Sequence, residues 1–276
     1  MARVATIILN RNLPAVTDDI VERMQEFDTG TNDIYVVESG SEQDRLSQYH
    51  TAWANWDDAM LRGLRFPRGF NFGLLDLLRK GRFFDYDFFL LMRNSVEFDG
   101  PLVSILTAEL ERHPQVCIVS PCAEGWDERE LMGANRTMYV WHVNHLIWLV
   151  RRSFVEIVME RAEPTHMNLF YDGTNFRGHY ADTELVIKGY ANGFATALTT
   201  RAMFREKTDL LRQYSDLMKT EPYAVNERLI FDEGREWMRR KYGFTSRIQM
   251  QEYARLFYTR FFDLNAHLNH YRLYEY

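Results

Sequence analysis

VATIIL at residues 4–9 and IYVV at residues 34–37, with a helical stretch between them, decide the fold. Both runs are short, apolar at nearly every position and rich in β-branched residues, the pattern of strands covered on both faces. Thr17-Asp-Asp opens the intervening helix with a capping hydroxyl and two carboxylates in its first turn. Ile20, Met24 and Phe27 follow along one face, and Gly30 through Asp33 turn the chain into the second strand. A strand, a helix and a strand within forty residues predict the βαβ unit of a parallel sheet.

Outward from that unit the alternation continues. A short helical pattern covers Phe70–Leu78, a third buried strand Tyr86–Met92, and a helix runs from Asp99-Gly-Pro101 to His113-Pro114. Val116–Val119 predicts a fourth strand, stopped by Ser120-Pro121. The expected class is α/β, a three-layer Rossmann-related domain with helices on both faces of a mostly parallel sheet. Beyond Pro121 the rhythm changes: residues 123–140 are turn-like, Val143–Val150 is apolar, and Thr183–Lys188 begins a short helix. From Arg205 onward only helical patterns remain. One carries Leu210, Tyr214, Leu217 and Met218, a second Val225, Leu229 and Met238, and a third the stripe Tyr253, Phe257, Phe261, Leu264, Leu268 and Tyr271. The expected division is a main domain over residues 1–204 and a helical extension over 205–276.

Composition bounds the class. The 276 residues are 46% hydrophobic and carry a net charge of −6, enough chain for a continuous core without staples. Cys117 and Cys122 are too few for a disulfide scaffold and fit a reducing compartment. No apolar run reaches the roughly 20 residues of a membrane span, and the opening run is too short for a signal peptide. Mild acidity argues against a general nucleic-acid binder. A cytoplasmic globular protein is expected. Its charge is uneven, with 20 basic and 28 acidic residues before position 205 and 13 and 11 after it. That contrast raises a membrane-surface or self-association role for the aromatic C-terminal helices, alongside ordinary packing.

Ligands of open α/β sheets bind beyond the carboxyl ends of the strands. Asn10, Arg11 and Asn12 follow the first strand, Glu38, Ser39 and Ser41 the second, and Arg93, Asn94 and Ser95 the third. Arg65-Phe-Pro-Arg68-Gly-Phe-Asn71 lies between strands. Arginines in such a set suit a phosphorylated ligand. Neither GxGxxG nor a Walker A sequence is present, which disfavours ordinary dinucleotide and P-loop chemistry.

In their order, these blocks resemble the inverting nucleotide-sugar glycosyltransferases of the GT-A fold, of the family-2 type that includes bacterial polysaccharide and rhamnosyl-type transferases. Ile7-Ile-Leu-Asn10-Arg-Asn12 answers the family's IILNYN, and Val36-Val-Glu38-Ser-Gly-Ser41 its VVDNAS. Arg65-Phe-Pro-Arg-Gly69-Phe-Asn71-Phe-Gly73 answers NxGFAxGNNxG, and Leu90-Leu-Met-Arg93-Asn94-Ser95 answers LLNPDT. His113-Pro-Gln-Val-Cys-Ile-Val-Ser-Pro121 and Ala181-Asp182-Thr-Glu184-Leu-Val-Ile-Lys188-Gly-Tyr190 complete six ordered blocks over about residues 3–200.

The resemblance implies a nucleotide-diphosphate sugar as donor, and a glycan or lipid-linked acceptor in surface glycan synthesis at the inner face of a membrane. Glu38 would bond the base or ribose, with Asn10, Asn12 and Ser41 beside the nucleotide and Asn71 in the same set. Arg65, Arg68 and Arg93 would face the diphosphate. Asp182, at the start of a helix whose dipole favours an anion, would be the general base. Its ordinary alternative is a capping aspartate; those of the asparagines and arginines are turn chemistry and solvated loops. His145, Trp148 and Glu184 fall where relatives meet the acceptor, although Glu184 also stands i,i+4 from Lys188. The departure is Asn94, where relatives place a metal-binding Asp. An amide is a poor ligand for Mg²⁺ or Mn²⁺, so metal dependence is expected to be weak or absent. Rival readings are a non-catalytic binding module on the same scaffold and a sugar-phosphate nucleotidyltransferase.

Overall fold

The computed structural model describes residues 3–30 and 32–274. Its elements are, in chain order, β1 (Val4–Asn10), α1 (Pro14–Phe27), β2 (Asn32–Glu38), β3 (His50–Trp53), α2 (Asp57–Arg62), α3 (Arg65–Arg79), β4 (Phe88–Arg93), β5 (Val96–Glu97) and α4 (Val103–Arg112). There follow β6 (Val116–Ala123), α5 (Asp127–Met132), β7 (Thr137–Tyr139), β8 (Ile147–Arg151), α6 (Arg152–Val158), α7 (Ala181–Ala191) and β9 (Ala195–Glu206). The chain ends in α8 (Leu210–Tyr214), α9 (Tyr223–Tyr242), α10 (Arg247–Leu264) and a 3-10 turn over Ala266–Tyr271. Among the described residues no helix is long and apolar enough to cross a membrane.

The strands form one sheet in the order β3-β2-β1-β4-β8-β6-β9-β5, with β7 also paired to β9. Every residue of β1 is buried, as an apolar strand between two parallel neighbours must be. β1 runs parallel to β2 and β4 in a register that sets Asn10 opposite Glu38 and Leu9 opposite Arg93. Three polar residues are thereby gathered at one sheet edge. α3 crosses the sheet closely because Gly73 carries no side chain: a Cβ there would stand 2.7 Å from Ile7 Cγ2.

Several elements differ from the sequence expectations. α1 begins at Pro14, before Thr17, using proline in the first turn where its missing donor costs nothing. α3 begins at Arg65, so the segment read as a loop is the first two turns of a helix, with Pro67 again near its start. β6 does not stop at Ser120-Pro121 but continues to Ala123, the register to β9 shifting between Pro121 and Cys122. The apolar run ending at Val150 is β8, antiparallel to both β4 and β6. β9, which the sequence reading did not find, is the 12-residue partner of β6.

The C-terminal helices share the main core. Trp237, Met238, Met250, Ala254, Tyr258, Phe261, Phe262 and Leu268 are buried in one cluster with the sheet. The buried face of α10 is thus turned from the expected stripe, and Leu264 is 66% exposed. Residues 253, 257 and 261 and residues 254, 258 and 262 are both spaced for one face; Tyr139 and Tyr190 bury the second set together with Phe261, and leave Tyr253 and Phe257 partly buried at its edge. The Tyr258 hydroxyl donates to the Tyr139 carbonyl at 3.1 Å, and Tyr271 stacks on the Tyr139 ring. Glu275 and Tyr276, the end of the expected tail, lie outside the described residues.

Candidate active site

A cavity of about 400 Å³ opens at the carboxyl ends of β1 and β4. Leu9, Asn10, Arg11, Arg65, Phe66, Arg93, Asn94 and Ser95 form its sheet side, while Lys207, Thr208, Leu210, Met218, Thr220, Tyr223 and Asn226 wall it from the C-terminal segment. Arg11, Arg65, Arg93, Arg177 and Lys207 contribute positive charge, and Glu206 negative charge. Burial pushes the Arg11 guanidinium down to about 10, with the nearby Arg65 acting in the same direction. Burial and Arg177 likewise lower Arg65. Glu221 opposes both shifts as the anion already present beside these cations.

Arg93 packs its guanidinium 4.9 Å from the centre of the Phe66 ring and, among the described residues, makes neither a hydrogen bond nor an ion pair. Desolvation lowers its pKa, while the charges of Glu206 and Asp182 oppose that shift. Asp182 lies in the first turn of α7. Its Oδ1 accepts from the Thr183 backbone N–H at 2.7 Å and from the Thr183 hydroxyl at 3.3 Å. The same charge helps burial to raise the Tyr171 hydroxyl well above its usual value. Asp182 is outside the lining of the cavity, but Arg93, which lines it, feels the carboxylate.

The other expected residues are placed as follows. Glu38 is fully buried and accepts from Asn10 Nδ2 at 3.1 and 3.0 Å, from the Ser47 backbone N–H at 2.7 Å and from the Ser41 hydroxyl. Asn12, at φ 58°, accepts from Glu42 N at 2.7 Å and donates to the Leu217 carbonyl at 2.7 Å, tying β1 to the C-terminal segment. Asn71 is fully buried, and its amide clamps the backbone of His166, Phe170 and Tyr171. Arg68 donates to the Gly173 carbonyl at 2.8 Å and packs on Phe176. Among these, only Asn10, Arg65, Arg93 and Asn94 line the cavity.

His145 and Trp148 are enclosed in the core, with ring centres 4.3 Å apart, and Tyr171 covers His145 from a second side. Burial and the neighbouring Arg93 hold His145 neutral, well below its ordinary value. Neither ring has a face open to a sugar. Glu184 is buried against Lys241 at 2.7 Å and the Tyr242 hydroxyl at 2.8 Å, with Lys188 at 3.6 Å as its i,i+4 spacing implies. Arg177, Lys207 and Thr220 lie in stretches with no recognisable pattern, Asn226 lies within the second C-terminal helical pattern, and sequence reading missed all four. An arginine in a Gly-rich stretch (GTNFRG, residues 173–178) was the available signal for the first, whose side chain the fold nearly buries.

The donors at the end of β4 do not fit a divalent cation. Asn94 Nδ2 points at Asn10 Oδ1 (3.3 Å) and Thr17 Oγ1 (3.1 Å), so the amide faces its neighbours as a donor. Among the described residues no group of three or more His, Cys, Asp or Glu side chains converges as a metal site.

No protein-family model matches the chain, and no curated protein matches it in sequence. Solved structures do. A mannosyltransferase from Pyrobaculum calidifontis, in complex with GDP-Man and Mn²⁺, aligns over 94% of this chain and 74% of its own at 10% identity and TM-score 0.51. GalNAc-T7, with UDP, GalNAc and Mn²⁺, aligns over 99% of this chain at 9% identity and TM-score 0.58, the chain spanning 59% of its length. Residues 1–349 of S. aureus TarS align over 87% of this chain and 72% of their own at 8% identity and TM-score 0.50. At such identities the likeness is one of architecture. The chain has a GT-A-like α/β fold.

Proposed function

We propose that the protein is an inverting glycosyltransferase that takes a sugar from a nucleotide-diphosphate donor. The observation that carries this is the cationic cavity at the carboxyl edge of β1 and β4, with Asp182 within electrostatic reach of its Arg93. The order of the sequence blocks and the fold of the neighbours support the same reading.

In this mechanism Asp182 takes the proton of the acceptor hydroxyl through its Oδ2, while Thr183 holds Oδ1 in place. The acceptor oxygen attacks the anomeric carbon opposite the leaving group, and the bond from that carbon to the diphosphate oxygen breaks. Negative charge then grows on the diphosphate. Arg93, which has no carboxylate partner of its own, and Arg65 and Lys207 stabilise it as fixed cations. Fixed guanidinium groups take the part that a metal plays elsewhere, so transfer is metal-independent. The acceptor is a carbohydrate or lipid-linked glycan.

A second reading, a non-catalytic module that binds a nucleotide or glycan, draws on Glu38 and Asn94, whose polar atoms are turned to internal partners. Thermal unfolding with UDP-, GDP- and dTDP-sugars, with and without Mn²⁺, tests donor binding. A ligand at a hundred times its Kd adds about 2.7 kcal/mol, a shift of about 5 °C for a chain of this size. The proposal predicts that shift for one nucleotide class without Mn²⁺, followed by turnover. No shift with any of them contradicts donor binding, and a shift without turnover for any acceptor favours the module.

A further inference from the structure

Arg11, Arg65 and Arg177 line the cavity, and Arg65 and Arg177 share one carboxylate, Glu221, which stands on an adjoining cavity that the same two arginines also line. Glu221 Oε2 is 2.9 Å from Arg65 Nη2, and its Oε1 pairs with Arg177. Among the described residues, the Arg11 side chain donates to the carbonyls of Leu61 and Lys219, at 3.2 and 3.4 Å, and feels Glu221 through space. The Nε atoms of Arg11 and Arg65 are buried with no hydrogen-bond partner among the described residues. The cluster therefore has more donors and more charge than one carboxylate can satisfy.

Glu221 does not come from the sheet. It stands at the end of the connection between β9 and α9, with its side chain 36% exposed. Other residues fasten that connection: Leu217 through Asn12, and Lys219 through Glu42 at 2.7 Å. Arg177 also has a second anion, Glu233 of α9, and Asn226 at 3.4 Å. Withdrawal of Glu221 would not leave Arg177 uncompensated. A carboxylate that gives one oxygen to each of two guanidinium groups has the form of a bound phosphate group.

We infer that Glu221 is an internal placeholder for the diphosphate, which displaces it from Arg65 and Arg177 on binding. The inference rests on the donor-binding reading above and names the residue that sets donor affinity. A diphosphate brings more charge and more acceptor oxygens than the carboxylate, and so compensates the guanidinium groups more fully.

Titration calorimetry with inorganic pyrophosphate, UDP and GDP on the full chain tests it. Glu221→Gln, which removes the charge and keeps the shape, is expected to bind all three about tenfold more tightly than wild type. Glu221→Asp, too short to span both arginines, is expected to fall between; it is decisive if the Gln variant does not fold. Equal or weaker binding by folded variants overturns the inference alone, because Glu221 would then only brace the arginines. No binding of any diphosphate to wild type or variant overturns the donor reading and the inference together. Tightening for UDP or GDP without tightening for pyrophosphate also overturns it, since the competition would then lie at the nucleoside.

Discussion

Asn10 Nδ2 donates to both oxygens of Glu38, at 3.1 and 3.0 Å, while its own Oδ1 accepts from the Leu13 backbone N–H at 3.2 Å. The pair welds the ends of β1 and β2 and fixes the turn into α1. Glu38→Ala would strand Asn10, Ser41 and the Ser47 amide in a buried site. A loss of about 3 kcal/mol is expected, read as a lower midpoint in urea unfolding. A variant of unchanged stability whose nucleotide binding alone collapses would place Glu38 on the ligand.

Asp182→Asn keeps an acceptor for Thr183 but cannot take a proton. Turnover should fall by about 10²–10⁴-fold. The Kd for the donor should change less than threefold, because Asp182 is not part of the cavity lining. Activity that survives both Asp182→Asn and Asp182→Ala would remove it from the mechanism.

Asn94→Asp restores the residue that relatives use for a metal, and is expected to fail in that role here. It exchanges two donated hydrogen bonds, to Asn10 and Thr17, for a negative charge facing their oxygens. Stability should drop by about 1–2 kcal/mol, with no gain in Mn²⁺ affinity by calorimetry. A tight Mn²⁺ site created by this one change would show that the surrounding donors do fit a cation.

Four histidines, His113, His145, His166 and His179, have pKa values lowered chiefly by burial. Below their ordinary value of about 6.5 the unfolded chain takes up protons that the folded chain does not. Stability should therefore be level above pH 7.5 and fall as the pH drops from 7 toward 5, by at most about 1.4 kcal/mol per pH unit for each histidine. The lowered carboxylates Asp33 and Glu221 lose their contribution only at lower pH. Denaturant titrations from pH 5 to 8 on wild type and His145→Gln check it: the variant should show a shallower slope.

The parallel half of the sheet was legible because β1, β2 and β4 are buried on both faces and carry unbroken apolar runs. The other half was not. β9, ATALTTRAMFRE, mixes threonines and arginines with its apolar residues because it pairs in turn with three strands, β6, β7 and β5, and exposes Arg201, Arg205 and Glu206 toward its end. At the site, residues collected from the strand ends reach the cavity both from the paired register, as Asn10 and Arg93 do, and from the turns just beyond it, as Arg11, Ser39, Asn94 and Ser95 do. Asn71, expected beside the nucleotide, and Trp148, expected at the acceptor, spend their polar atoms on the backbone. Sequence order names a position; it does not say which way the side chain is satisfied.

The parallel bridge between Tyr139 and Arg272, with Tyr258 bonded to the same Tyr139, has a consequence for biosynthesis. The cavity wall needs Thr220, Tyr223 and Asn226, and the core beneath α7 needs Tyr258 and Phe261. A nascent chain that has emerged only as far as β9 holds an open, aromatic-lined sheet and no finished cavity. The cavity and the core therefore close only when the C-terminal helices have been made and docked.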